Sequence, residues 1–197
     1  MSVPGPRGSR MTTLGLLAVI LLVGGIALGL GLWVGTYFNQ PQSLPPPPGI
    51  TVTAPGELAP ELVFADLGNA EVALSAFRGR PLIINFWATW CAPCIEEMPM
   101  LSAFHSSQGQ SGPQVLGIAQ DQPQRVRAFL ETSPVSYPIV FDRPSPGDAS
   151  VRLGNTRNAL PYTVLLDPDG RILATHLGDF DRRELERWLR RHAVDFQ

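Results

Sequence analysis

The chain of 197 residues contains no lysine, so all fifteen of its basic residues are arginine. The absence of lysine excludes Schiff-base catalysis and a P-loop lysine. Only two cysteines occur, which are too few for a disulfide framework but enough for one redox pair. Charged residues make up 16% of the chain and hydrophobic residues 44%. This composition predicts one apolar segment attached to one ordinary domain.

The chain also lacks the excess of positive charge that nucleic-acid binding requires. Residues 1–40 carry two arginines and no acidic residue, and the rest carries thirteen arginines against seventeen acidic residues. Neutralisation of phosphates supplies most of the affinity for nucleic acid, so a mildly acidic domain binds it poorly. We therefore expect no nucleic-acid partner.

A continuous apolar run without charge covers residues 14–34. As a helix it would extend about 31 Å, enough to cross the hydrocarbon core of a membrane. No small-x-small cleavage site follows the run, and Trp33, Tyr37 and Phe38 have the character of interfacial anchors. We predict a single transmembrane signal anchor, with a cleaved signal peptide as the alternative.

The arginines at the N-terminus predict the orientation of this anchor. Arg7 and Arg10 precede the apolar run, and basic residues favour the cytoplasmic side. We therefore expect residues 1–13 in the cytoplasm and the following domain in the periplasm or exterior, held at the inner or cytoplasmic membrane.

A proline-rich segment separates the anchor from the domain. Residues 39–60 include the run Pro45–Pro48, which predicts an extended, polyproline-like linker with little fold of its own. A tether of functional length and an inert spacer both fit this composition. The remaining residues, 61–197, are numerous enough to form an independent core.

Hydrophobic patterning in residues 61–197 predicts an α/β fold, a mixed β-sheet flanked by helices. The predicted elements are a hairpin around Gly68-Asn69, buried strands at 82–87 and 115–119, helices at 91–105 and 124–131, a hairpin of strands 162–166 and 171–175, and a last helix that opens at Asp181.

The residues that carry chemistry are Trp90-Cys91-Ala92-Pro93-Cys94. Two cysteines three positions apart at a helix start lie on one face, at a separation compatible with a disulfide. A helix N-terminus also stabilises a thiolate. We expect Cys91 at the tip to be the exposed nucleophile and Cys94, one turn inside, to be the buried resolving thiol. Pro93 suits the first helical turn.

Other uses of the cysteine pair fit less well. Haem attachment needs histidine directly after the second cysteine, and that position holds Ile95. A zinc site would need two further ligands, and only His105, His176 and His192 are available, so we expect no metal. A peroxidatic cysteine and two ordinary buried cysteines remain as alternatives.

The run LIINFWATWCAPCIEEMP, residues 82–99, resembles the active-site strand and helix of the thioredoxin superfamily. The resemblance is to membrane-tethered thiol–disulfide oxidoreductases of the TlpA/ResA/CcmG (DsbE) family, and it extends from about Pro60 to the C-terminus. Pro99 stands where those proteins kink the helix, Leu160-Pro161 resembles their cis-proline loop, and Gly178 matches a family glycine. The resemblance implies a thioredoxin-like fold with an N-terminal β-hairpin and a central insert.

The resemblance also implies a function, a protein-disulfide reductase in which Cys91 attacks and Cys94 resolves. The residues expected to shape the substrate site are Trp90, Pro93, Leu160 and Pro161. The redox-active disulfide would be the only cofactor. The implied partners are disulfide-containing exported proteins, as in cytochrome c maturation or copper-site assembly, and a membrane thiol reductant of the DsbD/CcdA type. The alternatives are a peroxiredoxin-like thiol peroxidase and a non-catalytic, chaperone-like binding domain.

One departure from thioredoxin concerns proton transfer. Thioredoxin has a buried aspartate where this chain has Asn85, and asparagine cannot accept a proton from the resolving cysteine. Glu97, three residues after Cys94, is a candidate for proton transfer, although we expect a solvated carboxylate there and a structural hydrogen-bonding role for Asn85.

The last helix is rich in arginine, with five between Arg182 and Arg191. Because acidic residues alternate with them, we expect a solvated face. Contact with anionic lipid is the alternative.

Overall fold

The computed structural model describes residues 13–38, 45 and 48–196. The predicted cytoplasmic segment, with Arg7 and Arg10, lies outside the described residues apart from residue 13, as do residues 39–44 and 46–47 of the predicted linker. The chain divides into two compact units, one N-terminal and one that begins at Leu44.

The N-terminal unit contains one helix, α1, Thr13–Phe38. Residues Gly15–Gly35 are long and apolar enough to cross a membrane, with a mean hydropathy of 2.5. Residues from Leu16 to Gly35 are exposed. The predicted apolar helix is present and extends a few residues beyond the expected run.

The second unit is built on a seven-stranded mixed sheet in the order β2-β1-β5-β4-β3-β6-β7. Strands β3, β4 and β5 are parallel, and the other pairs are antiparallel. The strands are β1 Val63–Asp66, β2 Glu71–Ala73, β3 Leu82–Trp87, β4 Gln114–Ala119, β5 Ile139–Phe141, β6 Tyr162–Leu166 and β7 Ile172–Leu177. The helices are a 3-10 turn Leu74–Phe77, α2 Ala92–Ser107, α3 Pro123–Thr132, α4 Ala149–Arg152 and α5 Arg182–Arg191.

Strand β3 lies between β4 and β6, and all six of its residues are buried. Because side chains alternate along a strand, Ile83 and Trp87 belong to the core cluster with α2, α3 and α5, whereas Ile84 and Phe86 belong to the cluster on the opposite face. Asn85 has the parity of Ile83 and Trp87. Its side chain therefore faces α2.

The structure confirms the predicted thioredoxin-like fold class and adds a 3-10 turn, a strand and a short helix that were not predicted. The predicted hairpins, central strands and main helices are all present. Strand β5 and the short helix α4 both lie between β4 and β6, within the central insert that the resemblance implied. Both are too short, at three and four residues, to produce a clear periodic signal.

The domain begins earlier than Glu61. Residues before it run beside the start of β7: the Gly56 N–H donates to the Ile172 carbonyl at 2.7 Å, the Ile172 N–H to the Glu57 carbonyl at 2.9 Å, and the Ala59 N–H to the Gly170 carbonyl at 2.9 Å. The expected linker boundary therefore falls after a segment that is already hydrogen-bonded to the sheet edge.

Candidate active site

The two cysteines lie at the N-terminus of α2, which directly follows β3. Cys91 is the N-cap residue, and it forms a disulfide with Cys94 across a Cα–Cα distance of 5.3 Å. Pro93 stands in the first turn, where a missing N–H costs no helical hydrogen bond. The Cys91 side chain does not cap this helix. The N–H groups of its first turn therefore remain available to stabilise a sulfur anion.

The accessibility of the cysteines differs from the prediction in one respect. Cys94 is fully buried as expected, but Cys91 exposes only 5% of its surface, so the expectation of an exposed Cys91 is wrong for this disulfide form. The bond to Cys94 holds Cys91 within the core cluster that contains Trp87 and Met98. The exposed residues beside the disulfide are Ala92, Pro93 and, at 67%, Trp90.

The predicted cis-proline loop precedes β6. The Leu160–Pro161 peptide bond is cis, as predicted, and Leu160 packs against the core cluster that contains both cysteines. The Pro161 carbonyl accepts the Gly178 N–H at 3.0 Å. Gly178 has a φ of +107°, a left-handed conformation that glycine adopts without strain. Gly178 therefore joins the proline loop to the segment that leads into α5.

Glu97 lies on α2 one turn after Cys94, and it is buried with 2% exposure. The expectation of a solvated carboxylate is therefore wrong. Its Oε1 accepts the Asn85 amide Nδ2–H at 2.7 Å, and its Oε2 accepts the Phe180 N–H at 3.2 Å. The carboxyl group therefore lies between strand β3, which carries Asn85, and the segment between β7 and α5, which carries Phe180, and each of them donates one hydrogen bond to it.

This environment changes the acid–base behaviour of Glu97. Burial raises the pKa of Glu97 to about 7, although the hydrogen bonds from Asn85 and Phe180 oppose the shift. Asp179 adds a smaller increase through charge repulsion. A carboxyl group with this pKa exchanges its proton near neutral pH. Asn85 also donates to Thr163 Oγ1 at 3.3 Å. The structural hydrogen-bonding role predicted for Asn85 therefore consists of its contacts with Glu97 and Thr163.

A further residue, Asp121, holds the loop that precedes Cys91. Its Oδ2 accepts both the Thr89 hydroxyl and, at 3.3 Å, the Thr89 N–H. Its Oδ1 accepts the Gln122 N–H at 2.6 Å. The sequence reasoning missed this contact. The available signal was an acidic residue just beyond β4, because neighbouring parallel strands bring their carboxyl ends to the same sheet edge.

His105, near the end of α2, is half-buried, and its Nδ1 accepts the Val115 N–H at 3.2 Å. Burial, with the nearby Arg80, lowers the pKa of His105. The imidazole is therefore an acceptor within the fold rather than a cation at the helix end. Among the residues that the structure describes, no three histidine, cysteine or acidic side chains form a group suited to a metal ion.

A thioredoxin-like domain with a disulfide at the start of the helix after its central strand defines a class, the thiol–disulfide oxidoreductases. The AhpC/TSA family model matches residues 55–175, which is more than half of the chain. The chain belongs to the AhpC/TSA family.

Curated relatives narrow this assignment. The thiol-disulfide oxidoreductase ResA of Geobacillus kaustophilus is 33% identical over 171 residues, which cover 86% of this chain and 90% of that protein. ResA of Bacillus cereus is 27% identical over 174 residues, covering 88% and 92%. These relatives confirm the predicted TlpA/ResA/CcmG resemblance and the predicted class of enzyme, a protein-disulfide reductase of the thioredoxin-like oxidoreductases.

Solved structures agree on the fold. The crystal structure of a thioredoxin-related protein from Neisseria meningitidis serogroup B has a TM-score of 0.59 and 31% identity, and covers 66% of this chain and 98% of that one. The thioredoxin domain of a thiol-disulfide oxidoreductase from Bacteroides vulgatus has a TM-score of 0.59 at 22% identity, covering 72% and 99%. The latter supports the fold alone.

Proposed function

We propose that this domain reduces disulfides of exported proteins, with Cys91 as the attacking thiol and Cys94 as the resolving thiol. The observation that carries the proposal is the position of the disulfide, at an uncapped helix N-terminus and one helical turn from the buried carboxyl group of Glu97. The helix dipole would stabilise a thiolate, and the carboxyl group would accept a proton.

The first step forms a mixed disulfide. In the reduced enzyme, the Cys91 thiolate attacks one sulfur of a substrate disulfide, and the other substrate sulfur leaves as a thiolate. The exposed indole of Trp90 and the main chain at Leu160-Pro161 would hold the extended substrate segment beside Cys91. Pro93 places an exposed, rigid ring in the first turn of α2, between the two cysteines in the chain.

The second step releases the substrate. The Cys94 thiol transfers its proton to the Glu97 carboxylate, and the Cys94 thiolate attacks the Cys91 sulfur. The bond between Cys91 and the substrate breaks, the second substrate sulfur leaves as a thiolate, and the Cys91–Cys94 disulfide forms. Two electrons have then moved from the enzyme to the substrate. Because the pKa of Glu97 is about 7, its carboxylate form is available at and above neutral pH.

A membrane thiol reductant of the DsbD/CcdA type would return the disulfide to the dithiol by the same exchange in reverse, so the cycle needs no cofactor beyond the cysteine pair. Helix α1 supports a place for the enzyme at the membrane, because it is apolar and long enough to serve as a single-pass anchor. The domain would then lie outside the cytoplasm, where exported proteins carry disulfides.

The test is insulin reduction by the full chain and by two single-cysteine variants. Cys91→Ser should abolish activity. Cys94→Ser should accumulate a mixed disulfide with the substrate, because attack remains possible and resolution does not. The chain has no third cysteine, so any trapped adduct is assigned to the remaining thiol.

Three outcomes would contradict the proposal. Better trapping by Cys91→Ser would reverse the two roles. If Cys91→Ser bound unfolded chains as well as the wild type does, and binding by the wild type did not depend on its thiols, the domain would be a non-catalytic binding domain. Rapid consumption of hydrogen peroxide under saturating reductant, in place of insulin reduction, would indicate a thiol peroxidase.

A further inference from the structure

The face of helix α5 that points away from the core is lined by arginines. Leu185, Trp188 and Leu189 are its buried residues. With 3.6 residues per turn, the opposite side of the helix is centred between positions 183 and 187. The residues nearest that centre, here called the arginine crest, are Arg183, Arg187, Arg190 and Arg191, and all four are exposed.

Three of the four arginines of this crest have no direct acidic partner among the described residues, although Asp179 and Glu184 line the same groove as Arg187 and Arg191. In the part of the chain that the structure describes, no hydrogen bond or ion pair engages Arg183, Arg187 or Arg191. Arg190 is paired with Glu186 at 3.6 Å, and Glu186 also accepts from Arg182 at 2.6 Å. The other acidic residue of the helix, Glu184, is held by its hydrogen bond from the Asp181 N–H at 3.0 Å.

The crest contrasts with the charge of the rest of the domain. Helix α5 carries five arginines against two glutamates, a formal charge of +3, whereas the rest of residues 44–197 carries eight arginines against fifteen acidic residues, a formal charge of −7. The net charge of α5 therefore favours an anionic partner at this helix, whereas the net charge of the remaining residues opposes one. An uneven distribution of charge determines which side of a domain meets a charged partner.

We propose that the arginine crest contacts an anionic lipid surface. The choice of lipid over an acidic protein rests on α1 and therefore on the membrane anchorage proposed above. Residues 39–52 join α1 to Thr53, the first residue after them with a hydrogen bond to the domain, at 2.8 Å to the Arg152 carbonyl. Fourteen residues span at most about 50 Å, so an anchored domain stays close to the bilayer and even a weak contact is populated.

Screening makes this contact compatible with the net negative charge of the domain. At about 0.1 M salt the Debye length is roughly 10 Å, so acidic residues on the far side of the domain contribute little at the lipid surface. Arginines that touch the surface are not screened in this way. Each basic residue near an anionic membrane contributes about fivefold to binding.

The test measures sedimentation of residues 44–197 with vesicles. This part can be used alone because every residue of both core clusters lies within it. At about 0.1 M salt, the wild type should sediment with vesicles of phosphatidylglycerol and phosphatidylcholine, but not with phosphatidylcholine alone, and about 0.5 M salt should release it. Because the anchor is absent, failure here is separate from failure of the anchorage proposal.

Two triple variants separate the crest from net charge. Replacement of Arg183, Arg187 and Arg191 by glutamine should lower binding about a hundredfold, while insulin reduction stays at the wild-type rate. The matched control replaces three exposed arginines elsewhere, Arg125, Arg143 and Arg171, by glutamine, and should bind as the wild type does.

Two results would overturn the proposal. Equal losses in both triple variants would mean that net charge, not the crest, determines binding. No sedimentation of the wild type with the anionic vesicles would leave an acidic protein as the class of partner for this face.

Discussion

Helices α2 and α5 pack into the same core cluster, but α5 contains residues that stabilise a helix, whereas α2 contains residues that destabilise one. Helix α5 begins with a complete capping box, in which Asp181 accepts the Glu184 N–H at 2.8 Å and Glu184 accepts the Asp181 N–H. Helix α2 begins at Cys91 without a side-chain cap, contains Pro99 in its interior, and buries the carboxyl group of Glu97.

The difference shows where the fold gives up stability for chemistry. A cap stabilises a helix by about 1 kcal/mol, and an interior proline or a buried carboxylate destabilises the folded state. In α2 these losses occur around the disulfide, where free N–H groups and a titrating carboxyl group have a chemical use. In α5 no such use exists in the redox reaction, and the helix keeps its stabilising features.

The largest predicted effect concerns catalysis by α2. Glu97→Gln removes the proton acceptor, and general base catalysis contributes on the order of 100-fold to 10,000-fold. We expect release of a mixed disulfide from Cys91 to slow by at least about 100-fold, measured by single-turnover quench with a labelled substrate. Attack by Cys91 should be nearly unchanged. An unaltered release rate would contradict the role of Glu97.

The second prediction concerns stability as a function of pH. The folded-state pKa of Glu97, about 7, lies above the ordinary value of 4.5, so the folded state binds the proton more tightly than the unfolded state. Stability is therefore highest below the lower value and falls as pH rises between the two. This shift corresponds to a loss of about 3 kcal/mol.

Urea unfolding of the oxidised protein at about pH 4.5 and about pH 8.5 measures that loss. The Glu97→Gln variant keeps an oxygen for Asn85 but has no titrating group, so it should lack this part of the pH dependence. An identical pH dependence in the two proteins would mean that Glu97 has an ordinary pKa.

The third prediction concerns the loop before Cys91. Asp121→Ala removes the acceptor of the Thr89 hydroxyl and N–H, and hydrogen bonds to a charged group contribute about 1.5–3 kcal/mol. We expect a stability loss of about 2 kcal/mol and slower attack by Cys91, measured by urea unfolding and insulin reduction. Thr89→Ser keeps both donors and is the control. A loss of stability with full activity would restrict Asp121 to a structural role.

The smallest predicted effect concerns α5. Asp181→Ala removes the cap and should destabilise the domain by about 1 kcal/mol, measured by thermal or urea unfolding, whereas insulin reduction should not change. Asp181→Asn preserves an acceptor oxygen and should be nearly neutral. If Asp181→Ala reduced the rate of insulin reduction, the contrast between the two helices would be lost.

Local patterns in the sequence predicted the parts of the fold that depend on neighbouring residues. The run at 82–87 indicated a buried strand, the Cys91–Cys94 spacing indicated a helix start, and Asp181 with Glu184 indicated a cap. Each pattern depends on backbone geometry within a few residues. The resemblance of Leu160-Pro161 to a family motif predicted the cis bond, which periodicity could not have done.

The burial of Glu97 depends on residues far away in the chain. The spacing from Cys94 placed Glu97 on the right face of α2, but its enclosure requires Asn85 from β3 and the N–H of Phe180, which is 83 residues away. The Asp121 contact with Thr89 likewise joins two strand ends across 32 residues. Such pairings follow from sheet order, which a single sequence does not contain.

The reduction potential tests the proposed direction of electron transfer most directly. Ala92 and Pro93, between the cysteines, carry no charge and no side-chain donor for the Cys91 thiolate. Without the strong thiolate stabilisation of oxidising relatives, whose potential is near −120 mV, the potential should lie near the thioredoxin value of about −270 mV. Equilibration of the full chain with defined glutathione ratios, followed by alkylation of free thiols, measures it. A value near −270 mV fits a reductase, whereas a value above roughly −180 mV would indicate an oxidase or isomerase and contradict the proposed function.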